Sequence, residues 1–170
     1  FDGAWFDTDY LNGLLSTLSP SNSELRIYER PKPGLTYAMG VDPSWCNGGD
    51  HAVAQVLSHD GRQIATLSTK AGGELLFFEK AAELARHFNK AKTLVESNPG
   101  GAGIVGLREI RKAGIPLWIQ PAKPGQKPGK SPKYWTTSRG TKEQGYARLR
   151  QMVNGDALSL SDLATVQEWM

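Results

Sequence analysis

Tyr37-Ala38-Met39-Gly40-Val41-Asp42 is an apolar run closed by an acid, and Thr93-Leu94-Val95-Glu96 repeats that arrangement further along the chain. Both runs have strand length and composition. Between them, residues 52–58 and 62–69 read as two more strands joined by the turn His59-Asp60-Gly61, a strong hairpin signal. A helix is expected near residues 74–88, where Leu75, Phe78, Ala82 and Ala85 recur at helical spacing while Glu79, Lys80, Glu83 and Arg86 fall largely off that stripe. The strand at 92–95 follows, and Asn98-Pro99-Gly100-Gly101 turns into a helix near 102–112 with Gly114 as its stop. Residues 116–119 read as a short further strand. Three strands followed by alternating helix and strand predict an α/β domain: a mixed sheet, antiparallel first and then parallel, with helices on its faces.

Outward from this centre, residues 1–34 alternate aromatic and polar clusters (Phe1, Trp5, Phe6, Tyr10) and end in Pro31-Lys32-Pro33-Gly34. They read as a lead-in arm or linker with a short helix over 9–18, and residues 35–170 as one domain. At the other end a helix over 142–153, a strand over 158–160 and a final helix capped by Ser161-Asp162 are expected. The chain has 170 residues and 39% hydrophobic content, and it contains no apolar run of the roughly 18–20 residues that a membrane span requires. It opens Phe1-Asp2 without a methionine, as a fragment or excised domain would. Cys46 is the only cysteine, which excludes an internal disulfide and a multi-cysteine metal site and fits a reducing compartment. Lys123, Lys127, Lys130, Lys133, Arg139 and Lys142 fall within residues 121–142, a stretch without Asp or Glu. That stretch carries +6 in a chain of net +3, leaving −3 on the remainder. A basic arm beside an acidic body points to a polyanionic partner.

Carboxylates at neighbouring strand ends repel one another, and a divalent cation relieves the repulsion. Magnesium requires only one or two protein carboxylates, because water and substrate phosphate complete its octahedron. Two such ions about 3.5–4 Å apart can activate the attacking water and stabilise the leaving oxygen in phosphodiester hydrolysis. Asp42 and Glu96 are therefore candidate ligands, with Asp50 nearby in the loop after Asp42; any one of them taken alone reads as a solvated turn acid. His51 stands either beside the ions or free in that loop. Gly101-Ala102-Gly103-Ile104-Val105-Gly106 matches G-x-G-x-x-G, but no acid follows between Glu109 and Glu143, so a tight turn with close helix packing is preferred to dinucleotide binding. Cys46 lacks triad-like partners, which leaves nucleophilic catalysis unsupported.

The ordered set Gly40-Val41-Asp42-Pro43-Ser44-Trp45-Cys46-Asn47-Gly48-Gly49-Asp50, Val95-Glu96-Ser97-Asn98-Pro99-Gly100-Gly101 and Tyr134-Trp135-Thr136-Thr137 resembles the nuclease domain of phage large terminase subunits, the DNA-packaging motor proteins. The resemblance runs over residues 35–170. It implies a ribonuclease H-like fold in which the first three strands form an antiparallel meander and the fourth lies parallel beside the first. It also implies a metal-dependent endonuclease that cuts double-stranded viral DNA with little sequence preference during packaging. Asp42 would bridge two Mg²⁺ or Mn²⁺ ions, Glu96 would be its partner, Asp50 would assist, and Asn98 and Gly101 would shape the turn after Glu96. Lys123, Lys127, Lys130, Lys133, Trp135, Arg139 and Lys142 would contact the DNA, with Trp135 also anchoring its loop.

The partners implied are an ATPase domain in cis, a portal and a small terminase subunit, in the host cell cytoplasm and without a membrane. No G-x-x-x-x-G-K-[ST] occurs within these residues. Family members carry a further essential aspartate in a His-Asp-Asp-like segment at the start of a late helix. Asp156, Asp162 and Glu168 lack such surroundings, so that aspartate is expected beyond Met170. Two other readings stay open: a different ribonuclease H-like nuclease, such as a junction resolvase or recombinase, and a non-catalytic DNA-binding module with an incomplete metal site.

Overall fold

The computed structural model describes residues 8–18, 21–122, 125, 127, 129 and 131–169. In chain order the elements are helix α1 (Thr8–Thr17), strands β1 (Leu25–Ile27), β2 (Tyr37–Asp42), β3 (Ala52–Ser58) and β4 (Gln63–Thr69), helix α2 (Glu74–His87), strand β5 (Lys92–Val95), and helices α3 (Gly103–Lys112), α4 (Arg139–Asn154) and α5 (Leu163–Trp169). They build one five-stranded sheet in the order β1-β4-β3-β2-β5. β2, β3 and β4 form the expected antiparallel meander, and β5 lies parallel beside β2.

Alternation along β2 separates the two faces. Tyr37, Met39 and Val41 are buried, whereas Ala38, Gly40 and Asp42 are exposed. The buried set joins Ala54, Val56, Ala65 and Leu67 of β3 and β4 in a core closed by α2 and α3, with Phe77, Phe78 and Phe88 as its largest members. Close packing of α3 depends on two glycines of the G-x-G-x-x-G run. A Cβ at Gly103 would overlap the Glu96 carbonyl, and one at Gly106 would overlap the Phe78 ring. The glycine motif thus has a packing role here.

The opposite face is covered over part of its area. Leu11 of α1, Val153 of α4, Leu158, Leu160 and Val166 of α5 form a second, smaller core, so helices lie on both faces. Beneath α5 the sheet presents polar side chains that find partners there. Gln63 Oε1 accepts from the Ser161 and Asp162 N–H groups, both at 2.9 Å, and Gln63 Nε2 donates to Thr165 Oγ1 at 3.1 Å. Asp162 caps α5 through the Thr165 N–H at 2.9 Å, pairs with Arg26 of β1 at 2.9 Å and accepts from Tyr28 Oη at 2.7 Å. This buried network fixes α5 to the sheet.

Several elements differ from the sequence expectation. β1 pairs with β4 and lies within residues 1–34, a segment whose sequence reads as an arm; three residues, Leu25-Arg26-Ile27, are too short to display alternation. α1 packs against α5. The strand expected at 116–119 contracts to a single parallel bridge between Thr93 and Leu117, since Pro116 has no N–H to extend the ladder. The strand expected at 158–160 is likewise one bridge, from Ser159 to Arg62. α4 starts three residues earlier than its apolar spacing implies, because Ser138 and Thr141 cap each other's backbone N–H groups.

Asp162→Ala would strand the Arg26 charge in a site where Asp162 is only 1% exposed. Loss of one partner from a buried ion pair costs about 3–5 kcal/mol. Urea denaturation is expected to show that loss; a change below about 1 kcal/mol, the range of exposed pairs, would refute the structural role assigned to Asp162.

Candidate functional site

The parallel register pairs Val41 with Val95, and the Glu96 N–H donates to the Val41 carbonyl at 3.0 Å. Asp42 and Glu96, the next residue on each strand, therefore emerge side by side. Both belong to the face that α2 and α3 leave uncovered. With Gly40, Gln55 and Leu94 they line a cavity of about 720 Å³, which also takes in Asp50 and His51 from the loop after β2.

Glu96 is held from behind. Asn98 Nδ2 donates to Glu96 Oε1 at 2.8 Å, and Asn98 Oδ1 accepts from the Thr137 N–H, also at 2.8 Å. Ser97 adds two donors, N–H at 2.9 Å and Oγ at 2.8 Å, both to the Trp135 carbonyl. The Tyr134–Thr137 stretch is thereby laced to the turn after β5. Trp135 is half-buried, packs edge-to-face on Trp118 with ring centroids 6.1 Å apart, and lines the cavity. These contacts anchor the Trp135 loop beside the acids.

The electrostatics are those of crowded acids. Desolvation, followed by the neighbouring Glu96 carboxylate and then Glu168 and Asp50, pushes Asp42 up from 3.8 to about 6. Asp42 remains open to solvent while sitting on the cavity floor. Among the described residues no three His, Cys, Asp or Glu side chains close into a ready-made cage for an ion. The donor set that does converge, two strand-end carboxylates with an accessible cavity above them, fits a hard cation that keeps much of its water.

Sequence reasoning sets aside one residue of this site and misses another. Glu168 has no motif around it in the sequence, yet α5 carries it to the cavity wall, where its charge acts on Asp42. Only the sheet-bound path of α5, fixed through Asp162 and Gln63, reveals this. Gln55 reaches the cavity because β3 alternates beside β2, a placement implicit in the strand pattern. Of the other late acids, Asp162 is structural and Asp156 lies in a turn at positive φ.

The basic residues are distributed differently from the acids. Lys127, Lys133, Arg139 and Lys142 are outside the cavity lining, and Arg139 is almost fully exposed. Arg139 pairs with Glu143 at 3.0 Å, and Lys142 lies over the Tyr146 ring at 5.8 Å. Lys123 and Lys130 lie outside the described residues. No helix among the described residues is long and apolar enough to cross a membrane.

Because Asp42 has a raised pKa, folding takes up protons at this position, and the contribution of Asp42 to stability is complete below pH 3.8 and lost as pH rises through about 6. The full shift corresponds to about 3 kcal/mol, which solvent screening at this open position reduces to about 1 kcal/mol. In metal-free buffer, Asp42→Asn is expected to stabilise the fold by about 1 kcal/mol at pH 8 and to have no effect near pH 4. Denaturant titrations at the two pH values check this, and equal stability at pH 8 would contradict the burial and crowding of Asp42.

No protein-family model and no curated protein matches the chain at significance. Solved structures do match. The large terminase nuclease from thermophilic phage G20c, with bound magnesium, superposes with a TM-score of 0.68 at 16% identity over 94% of this chain and 78% of that one. The same nuclease with bound zinc gives 0.66 at 17% identity over 93% and 85%. The Thermus phage P74-26 large terminase nuclease domain gives 0.65 at 16% identity over 93% and 75%. The chain therefore shares the ribonuclease H-like fold of the large terminase nuclease domains.

Proposed function

We propose that this chain is the metal-dependent endonuclease domain of a large terminase, with residues 35–170 as the nuclease unit and residues 1–34 leading into it, their α1 and edge strand β1 packed onto that unit. It would hydrolyse double-stranded viral DNA with little sequence preference during genome packaging, in the cytoplasm of the host cell. The observation that carries this reading is the juxtaposition of Asp42 and Glu96 at the ends of parallel strands, open to a cavity, in a fold shared with terminase nucleases, among them one solved with magnesium. An ATPase domain in cis, a portal and a small terminase subunit complete the machinery this reading implies.

Asp42 and Glu96 would hold the Mg²⁺ or Mn²⁺ ions, two in number, with Asp50 assisting from the loop. When bound, the ions supply a water nucleophile at neutral pH and charge stabilisation for the leaving oxygen. The chain's own part is positional. Asn98 orients Glu96, and the raised pKa of Asp42 reflects its burial first and then the neighbouring carboxylates, both of which a bound cation would offset. Lys123, Lys127, Lys130, Lys133, Trp135, Arg139 and Lys142 would hold the duplex through its phosphates, which carries no sequence information and so fits a nonspecific enzyme.

Asp42→Asn is expected to reduce Mn²⁺-dependent plasmid cleavage by far more than about 100-fold, the upper range for loss of an outer-shell metal partner, while the variant still folds and binds DNA. Cleavage retained in a folded Asp42→Asn protein would refute the assignment.

A further inference from the structure

The loop between β2 and β3 displays an aromatic side chain that the acid site leaves unused. Trp45, three residues beyond Asp42, is 47% exposed. Its backbone holds it outward. The next residue, Cys46, is buried, adopts a φ of 49° and accepts a hydrogen bond from the Gly73 N–H at 3.2 Å. The Gly48 N–H donates to the Lys70 carbonyl at 2.7 Å, and Ser44 Oγ accepts from the Cys46 N–H at 3.2 Å while donating to the Asp50 carbonyl at 2.7 Å. With the loop tied down on both sides of it, the indole is presented on a fixed stem.

Trp45 lines a second hollow of about 440 Å³, closed on one side by Gly101 and Ala102. This hollow shares Asp42, Gly49, Asp50 and His51 with the 720 Å³ cavity, so the two adjoin at the acids. Trp135 lines one and Trp45 the other. A strand running through both hollows would pass Trp135 in one and Trp45 in the other. Without bound cations the acids repel a polyanion, so in metal-free buffer binding energy at this point comes from contacts other than charge, and an indole face offers stacking that tolerates any base.

We propose that Trp45 is a stacking platform for a nucleobase of the strand lying over Asp42 and Glu96. The inference rests on the nuclease reading and narrows its substrate: a strand with a base freed from its partner, as in a single strand, frayed end or nick, binds this trough better than continuous duplex does. Binding is measured without metal, which separates it from cleavage. In EDTA, fluorescence anisotropy with a short single-stranded oligonucleotide is expected to show about tenfold weaker binding for Trp45→Ala, with Trp45→Phe close to the unsubstituted chain and continuous duplex affected less than about twofold. Equal losses on both DNAs, or no loss on the single strand, would overturn the proposal. If Trp45→Ala does not fold, tryptophan quenching by the oligonucleotide tests the same contact: it should fall in Trp45→Phe, and unchanged quenching would overturn the proposal. Absence of Mn²⁺-dependent cleavage by the unsubstituted chain would instead count against the nuclease reading, leaving the binding result intact.

Discussion

The parallel pairing of β5 with β2 brings Glu96 beside Asp42, and most of the surrounding architecture serves to keep two like charges there. Backbone hydrogen bonding fixes the register, Gly103 lets α3 press against the Glu96 carbonyl, and Asn98 grips the Glu96 carboxylate from the turn. Burial and, after it, the neighbouring Glu96 charge set the cost of the arrangement, which is visible in the raised pKa of Asp42. The fold thereby concentrates negative charge at one point on an open face.

The second constraint is the partial cover of that face. Gln63, Thr165, Arg26 and Tyr28 converge on Asp162 and on the start of α5, so the helix is fixed by directional polar bonds as well as by its apolar side. Buried polar networks of this kind specify a position more sharply than apolar contact alone, because a shifted arrangement leaves groups unpaired. The result is a face covered over β4 and open over β2, β5 and part of β3, with Glu168 brought to the boundary.

Much of this is legible in the chain. Hydrophobic alternation and the Asp60-Gly61 turn locate β3 and β4 closely, and helical spacing locates α2, because those signals arise within one element. The Asp42–Glu96 pair is legible because both acids end strands whose apolar patterns are plain. β1 is not, since a three-residue edge strand exists only through pairing with β4. Glu168 escapes for a related reason: its place depends on contacts between Asp162 and residues more than a hundred positions away, such as Arg26 and Tyr28. Trp135 stands out in the sequence, but its lacing to Ser97 is a backbone contact that side-chain chemistry does not reveal.

Strand alternation at the acids also limits how this chain can change in length. In β5, Thr93 and Val95 face the interior while Leu94 and Glu96 face the cavity, so inserting or deleting one residue ahead of Glu96 would turn its carboxylate toward Phe78 and the packed helices. The same holds for Asp42 in β2. Gains and losses of single residues are thus excluded from the two strands that carry the acids, whereas the stretch between Gln120 and Lys133 can lengthen or shorten without moving either one. Variation in size among descendants of this sequence should accumulate in the basic arm.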